Sequence, residues 1–315
     1  MMLIPGVPQN LSYGLIGVYG LLIAANLIIW GLNKSRGVKG GNELSRRVHS
    51  WWIMISAFTL AIIIDRTISM FFLGFISFLA LKEYLSLIPT RRIDRSVLLW
   101  AYLAIPLQFY WAHIGYYGLF IVFIPVWMFL LFPMVMALRG ETDGFLRAVG
   151  TLSWGLMITV FTLSHMAYLL TSGDQHSPIA GGAGLLFFLV FITQFNDVAQ
   201  FVWGKTFGKH PITPKVSPKK TWEGFLGGLV SSAAMAALVG PYLTPMDVLW
   251  SALAGGMIAV AGFIGDITIS AVKRDLGVKD TGGLIPGHGG ILDRVDSLTY
   301  AAPVFFHFIN FFYYP

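Results

Sequence analysis

The sequence predicts an all-α, polytopic integral membrane protein with about ten transmembrane helices. Three observations carry this. Hydrophobic residues make up 56% of the 315 and charged residues only 11%, and the mean hydropathy is +0.72, which is the composition of a chain that lives in lipid. Charge-poor runs recur along the whole chain, most of them near the roughly 20 residues that cross a hydrocarbon core. The 21 Lys and Arg residues are confined almost entirely to alternate connecting segments.

Taken in order, the charge-poor runs are 11–32, 50–64, 67–81, 96–112, 117–138, 148–171, 182–203, 225–241, 246–265 and 297–314. The first is long enough to span. With no charged side chain in residues 1–33, it lacks the basic flank of a cleavable signal and reads as a retained helix. The second and third are short. Each has about 15 residues, or roughly 22 Å of helix against a core of about 30 Å. They either cross a thinned bilayer or form a re-entrant hairpin turning at Asp65-Arg66. A single helix over 50–81 would place most later basic residues on the opposite side, and is rejected for that reason. Gly and Ala recur in the eighth run (Gly227, Gly228, Ala233, Ala236) and the ninth (Ala252, Gly255, Gly256, Ala259), which predicts close helix–helix packing.

The segments between runs set the orientation. Lys and Arg number five in 33–49, four in 82–95, two in 139–147, five in 204–224 and four in 266–296, and the remaining one is Arg66. By the positive-inside pattern these five segments are cytoplasmic and both termini external. No repeat, low-complexity tract or soluble segment interrupts the pattern, so 1–315 reads as one domain.

Composition also excludes. The absence of cysteine removes disulfides, thiolate nucleophiles and Cys-zinc sites. The net charge of +6 lies in short segments between apolar runs, so anionic headgroups and phosphorylated substrates suit it better than nucleic acid. Ala199-Gln200-Phe201-Val202-Trp203-Gly204-Lys205-Thr206 imitates a P-loop, but it begins with Ala and follows an apolar helix rather than a strand. No D-G-x-x-A-R run of the CDP-alcohol phosphotransferase kind is present.

Ser270–Asp296 concentrates acids, bases and six glycines between two charge-free runs, Val248–Gly265 and Ser297–Pro315, with Asp266 just before it. Ionisable groups at such a boundary are functional candidates. Asp266, Asp293 and Asp296 are hard oxygen ligands suited to Mg²⁺, with Asp280 a weaker fourth. Asp293 and Asp296 are three apart, on one face of a helix opening the last run. Two metal ions would fit a clamp on attacking and leaving oxygens. The plainer alternative is that these acids pair with Arg274 and Arg294 and mark the membrane boundary. Pro286-Gly287-His288-Gly289-Gly290 offers backbone N–H groups to phosphate oxygens. His165, by contrast, reads as a core histidine.

The stretch reads S-x-V-K-R, four residues, then K-D-x-G-x-x-I-P-x-H-G-G-I-x-D-R-V-D. In this form it resembles the motif of the phosphatidate cytidylyltransferases, or CDP-diglyceride synthases. The resemblance continues upstream in Gly204-Lys205-Thr206-Phe207-Gly208-Lys209 and in Pro214–Gly224, and covers about residues 191–315. Residues 1–190 share with the family only their hydrophobicity.

The resemblance implies a membrane nucleotidyltransferase with its active-site loops on the cytoplasmic side of a prokaryotic inner membrane. CTP and phosphatidate would give CDP-diacylglycerol and pyrophosphate. It assigns Asp266, Asp293 and Asp296 to a metal centre, and catalytic roles to Lys273, Arg274 and His288. Asp197, Lys209, Ser217, Lys219, Lys220, Lys279 and Arg294 become the substrate-binding set, with Lys205 and Lys215 as basic companions. Around Asp197 the sequence departs from the family pattern, reading Val198-Ala199-Gln200-Phe201. The expected partners are CTP, phosphatidate and membrane lipids, and a homodimer is compatible with the sequence. The rival readings are a CTP-dependent lipid kinase and a non-catalytic transporter or lipid-binding relative.

Overall fold

A computed structural model describes residues 7–35, 43–176, 179–284 and 289–314. The helices are α1 (Gln9–Ser35), α2 (Glu43–Ile64), α3 (Arg66–Leu87), α4 (Arg95–Ile114), α5 (Tyr117–Ala137), α6 (Phe145–Asp174), α7 (Gly181–Phe207), α8 (Trp222–Leu243), α9 (Val248–Asp275) and α10 (Leu292–Tyr313). Eight are long and apolar enough to cross a membrane; α2 offers only the shorter stretch Val48–Ile64, and α10, with charges in its first turns, falls outside this set. The fold is thus all-α and membrane-spanning, and among the described residues eight of the ten helices meet that criterion.

The break between α2 and α3 falls at Asp65. Its extended backbone (φ −165°, ψ 152°) ends one helix, and its carboxylate accepts from Thr67 N at 2.7 Å to cap the next. Beyond it α3 does not stop at residue 81. It runs through Lys82 and Glu83 to Leu87, about 33 Å at 1.5 Å per residue. The same correction applies to α7, which continues past Lys205, and to α9, which continues ten residues past Gly265. Lys, Arg and Glu are good helix formers, so polarity marks the edge of the lipid and not the end of the helix.

One small sheet was not foreseen. β1 (Pro211–Thr213) and β2 (Ser217–Thr221) form an antiparallel hairpin closed by Val216 N donating to Thr213 O at 3.1 Å. In α5, Pro125 sits inside a widened turn, Phe123–Met128, where its missing N–H is accommodated.

α6 is the centre of the bundle, packing against α3, α4, α7 and α10, while α7, α8, α9 and α10 pack in succession. His165, fully buried on α6 among Phe120, Phe161 and Phe306, donates from Nδ1 to Phe161 O at 2.8 Å, as a core histidine does. Close approach is built in where α8 and α9 meet their neighbours. A Cβ on Gly224 would lie 2.8 Å from Gln200 O, and one on Gly265 would collide with Asp296 O.

Four basic connections gather at one end. Arg91 Nη1 donates to Asp143 O, Arg274 Nε to Val216 O at 3.2 Å, and Thr281 Oγ1 to Glu83 at 3.2 Å. At the opposite end Arg66, the one basic residue outside the rule, faces Asp174 at 3.8 Å. The charge asymmetry is therefore a property of the folded molecule.

Candidate active site

The site begins where α9 and α10 cross. Because position 265 has no side chain, the two backbones approach closely, and this sets Asp266 and Asp296 beside one another. Asp266 accepts from Ser270 Oγ, one turn further along α9, at 3.2 Å. Asp296 Oδ1 accepts from Ser297 N at 2.8 Å. The same Ser297 donates from Oγ toward both carboxylate oxygens of Asp197 on α7, at 3.2 and 3.1 Å. Asp197, Asp266 and Asp296 lie close enough to repel one another.

One cation enters this group. Lys220, on β2, meets Asp266 Oδ2 at 2.6 Å and donates to Gln200 Oε1 at 3.1 Å. Burial pulls its ammonium toward the neutral form, but the charges of Asp266, Asp197 and Asp296 outweigh this and raise its pKa above the ordinary lysine value. The hairpin that delivers Lys220 is anchored at its base. Glu223 Oε2 accepts from Lys209 N at 3.0 Å, its Oε1 lies 2.6 Å from His210 Nδ1, and Thr221 caps α8 through Gly224 N at 3.2 Å.

Asp293 belongs to a neighbouring network. Its Oδ1 is 2.7 Å from Lys273 Nζ, and its Oδ2 accepts from Thr281 N (2.7 Å), Thr281 Oγ1 (2.9 Å) and Gly290 N (3.1 Å). Gly289 (φ +78°) lets the chain turn in above this carboxylate, where a side chain would be strained. The first N–H groups of a helix need partners. Those of α10 find them in Glu83 of α3, which accepts from Ile291 N and Leu292 N, both at 2.9 Å. Glu83 and Asp293 together fasten the glycine-rich connection to the opening of α10.

These groups border a cleft of about 670 Å³ lined by Asp197, Ser217, Lys219, Lys220, Asp266, Lys273, Asp280, Asp293, Arg294 and Asp296, with Lys205 at its side. Its size is ordinary for a small-molecule site.

The sequence model of the cytidylyltransferase family matches residues 45–312. The chain belongs to this family. Among its relatives, the uncharacterized protein YnbB of Escherichia coli (strain K12) is 43% identical over 305 residues, 96% of this chain and 99% of that one. Phosphatidate cytidylyltransferase 4, chloroplastic, of Arabidopsis thaliana is 45% identical over 143 residues, 45% of this chain and 36% of that one. The phosphatidate cytidylyltransferase of Aquifex aeolicus (strain VF5) is 43% identical over 121 residues, 38% and 45% of the two chains. The chain thus spans less than half of each of these two named enzymes.

Of the thirteen site residues that the cytidylyltransferase motif singles out, the structure brings nine to the cleft and leaves others apart. Lys209, Arg274 and Lys279 are not among its lining residues, and Arg274 instead ties α9 to the hairpin through Val216. His288 lies outside the described residues. Of the expected metal set, Asp266 and Asp296 face each other and are joined by Asp197, while the Asp293 carboxylate is taken up by Lys273, Thr281 and Gly290. The three facing carboxylates suit a hard divalent cation, which takes one or two carboxylates and completes its shell from water and phosphates. Among the described residues no three acidic or histidine side chains converge closely enough to hold a metal ion by themselves, so water and phosphate oxygens would have to supply most of its shell.

Glu83 was missed from sequence. It stands in a segment without a matching motif, and the one signal available was a carboxylate closing an otherwise apolar helix.

Proposed function

We propose that the protein is a membrane nucleotidyltransferase that converts CTP and phosphatidate into CDP-diacylglycerol and pyrophosphate. The observation that carries this reading is the cleft in which Asp197, Asp266 and Asp296 meet Lys220, with Lys219, Lys273 and Arg294 on its walls. Alternating acids and bases of this kind suit a polyphosphate and its counter-ions. An oxygen of the lipid phosphate attacks the α-phosphorus of CTP, and the bond from that phosphorus to the pyrophosphate oxygen breaks. The nucleophile is already ionised at neutral pH, so the chain supplies position and charge rather than a base. Lys219 and Lys220 hold the triphosphate, and Ser297 fixes the orientation of Asp197. Asp266 and Asp296, faced by Asp197, would hold Mg²⁺, and a second ion is compatible with a bound triphosphate; metal ions there would offset the phosphate charge.

The test is the purified protein with phosphatidate and CTP labelled at the α-phosphorus, and in a parallel reaction at the γ-phosphorus. Label appearing in a CDP-lipid, with one pyrophosphate released per lipid formed, supports the reading. Transfer of γ-label instead would mean a lipid kinase, and no transfer of either would mean a non-catalytic lipid-binding protein.

The site lies on the cytoplasmic face of a prokaryotic inner membrane, because the basic connections gather at that end. With no natural cysteine in the chain, a single one introduced at Lys215 reports this cleanly. An impermeant thiol reagent is expected to leave it unlabelled in intact cells and to label it after lysis. A homodimer, compatible with this arrangement, is measured by the mass of the detergent-solubilised complex.

Glu83 acts as a positioning residue. Glu83→Ala is expected to lower kcat by about ten- to a hundredfold, or roughly 1.5–3 kcal/mol for lost charge-assisted bonds, with KM for CTP changed less. Glu83→Gln, which keeps one acceptor, should recover part of the rate. Equal rates for Ala and Gln would show that the side-chain oxygens do not matter.

A further inference from the structure

α10 has two working faces. Asp293 and Asp296 face the polar cleft, while Ile291, Arg294, Val295 and Leu298 border a second cavity of about 410 Å³. Positions 291, 294, 295 and 298 recur at the three- and four-residue spacing of one helical stripe. The rest of the second cavity is almost wholly apolar, walled by Met54 and Phe58 of α2 and Phe72 and Ile76 of α3. Ile53, on its rim, is 58% exposed, so the groove opens toward the lipid side of the bundle.

Arg294 borders both cavities, and its enclosed Nε has no hydrogen-bond partner among the described residues. A buried guanidinium N–H without a partner costs free energy unless a ligand satisfies it. The occupant that fits has an anionic head at Arg294 and an apolar tail beside α2 and α3.

We infer that this groove seats an acyl chain of the lipid substrate, with Arg294 holding the lipid phosphate at the junction between groove and cleft. The headgroup part of this inference rests on the proposed reaction; the groove does not. The tail lies between α2, α3 and α10, the head reaches the cleft past Arg294, and the nucleotide approaches from the aqueous side past Lys219 and Lys220. This gives a role to α2 and α3, which carry no part of the motif.

The test uses the unmodified protein and a phosphatidate bearing a diazirine in one acyl chain. On irradiation, peptides containing Met54, Phe58, Phe72 or Ile76 are expected to carry the label, and excess dioleoyl phosphatidate should remove it. Label confined to another face, such as Leu229 to Met257 on α8 and α9, or label that phosphatidate does not displace, would overturn the groove. Competed labelling without CDP-lipid formation would retain the groove and discard the reaction.

Two variants sharpen the result. Ile76→Trp narrows the groove and is expected to lower kcat/KM for dioleoyl relative to dihexanoyl phosphatidate at least tenfold. An unchanged ratio would count against an acyl chain there. Arg294→Gln should raise KM for both lipids about tenfold and KM for CTP far less, and an equal rise in the two would assign Arg294 to the nucleotide instead.

Discussion

Asp266→Asn and Asp296→Asn are each expected to lower turnover by at least about 10³-fold, roughly 4 kcal/mol of transition-state stabilisation. Asn keeps the shape of Asp and removes its charge, so the loss would come from the charge alone. Both residues sit where α9 and α10 touch at Gly265, and both face Asp197. Three carboxylates at that depth repel one another when nothing intervenes, and neutralising one relieves the repulsion. Stability in detergent should therefore hold or rise in Asp296→Asn while activity disappears, whereas Asp266→Asn also removes the direct partner of Lys220 and should lose some stability with its activity. Because the acids act on one set of phosphates, Asp266→Asn/Asp296→Asn should be scarcely worse than either single variant. Asp293→Asn should differ. Its carboxylate holds Thr281, Gly290 and Lys273, so its loss should lower the melting temperature as well as the rate. An absolute requirement for a divalent ion accompanies this assignment. Full turnover in excess chelator, or half the normal rate in Asp266→Asn or Asp296→Asn, would overturn it.

The helices and the polar end of the bundle were legible because lipid enforces them. A run without charges must be helical in a bilayer, and basic residues sort to one side whatever the chemistry. Helix ends were less legible. Lys82, Glu83, Lys205 and Lys273 lie beyond the apolar runs but within helices, and only packing says how far a helix continues into water. The hairpin at 211–221 was hidden for a related reason. Pro, Lys and Ser weaken any strand pattern, and what holds it is Glu223 at its base, Arg274 across from it and Lys220 facing Asp266.

Within the site, spacing placed Asp293 and Asp296 on one side of a helix, but three residues turn a helix by about 300°. That is enough for the two carboxylates to find different partners. Asp197 and Glu83 come from helices 100 or more residues away in sequence from the partners they meet. Local pattern carries no information on such meetings.

Lys220→Met should do nearly as much damage as losing an acid, by a different route. Lys220 is the cation in direct contact with the acid group, at 2.6 Å from Asp266, and both side chains are only about a fifth exposed. Removing one member of such a pair strands the other. The expected cost is about 2–3 kcal/mol of stability, the exposure keeping it below that of a fully buried pair. Turnover should fall about 10²- to 10³-fold, since the same ammonium is placed to meet the triphosphate. The double variant Lys220→Met/Asp266→Asn separates the two contributions. With the stranded charge gone, stability should return to within about 1 kcal/mol of the parent, while turnover stays at the level of the single variants. Lys219→Met, which removes a cation of the same cleft that makes no ion pair among the described residues, should weaken CTP binding with little change in stability. If Lys220→Met melted like the parent, or if the double variant were less stable than Lys220→Met alone, the lysine would not be the counter-ion that holds these carboxylates together.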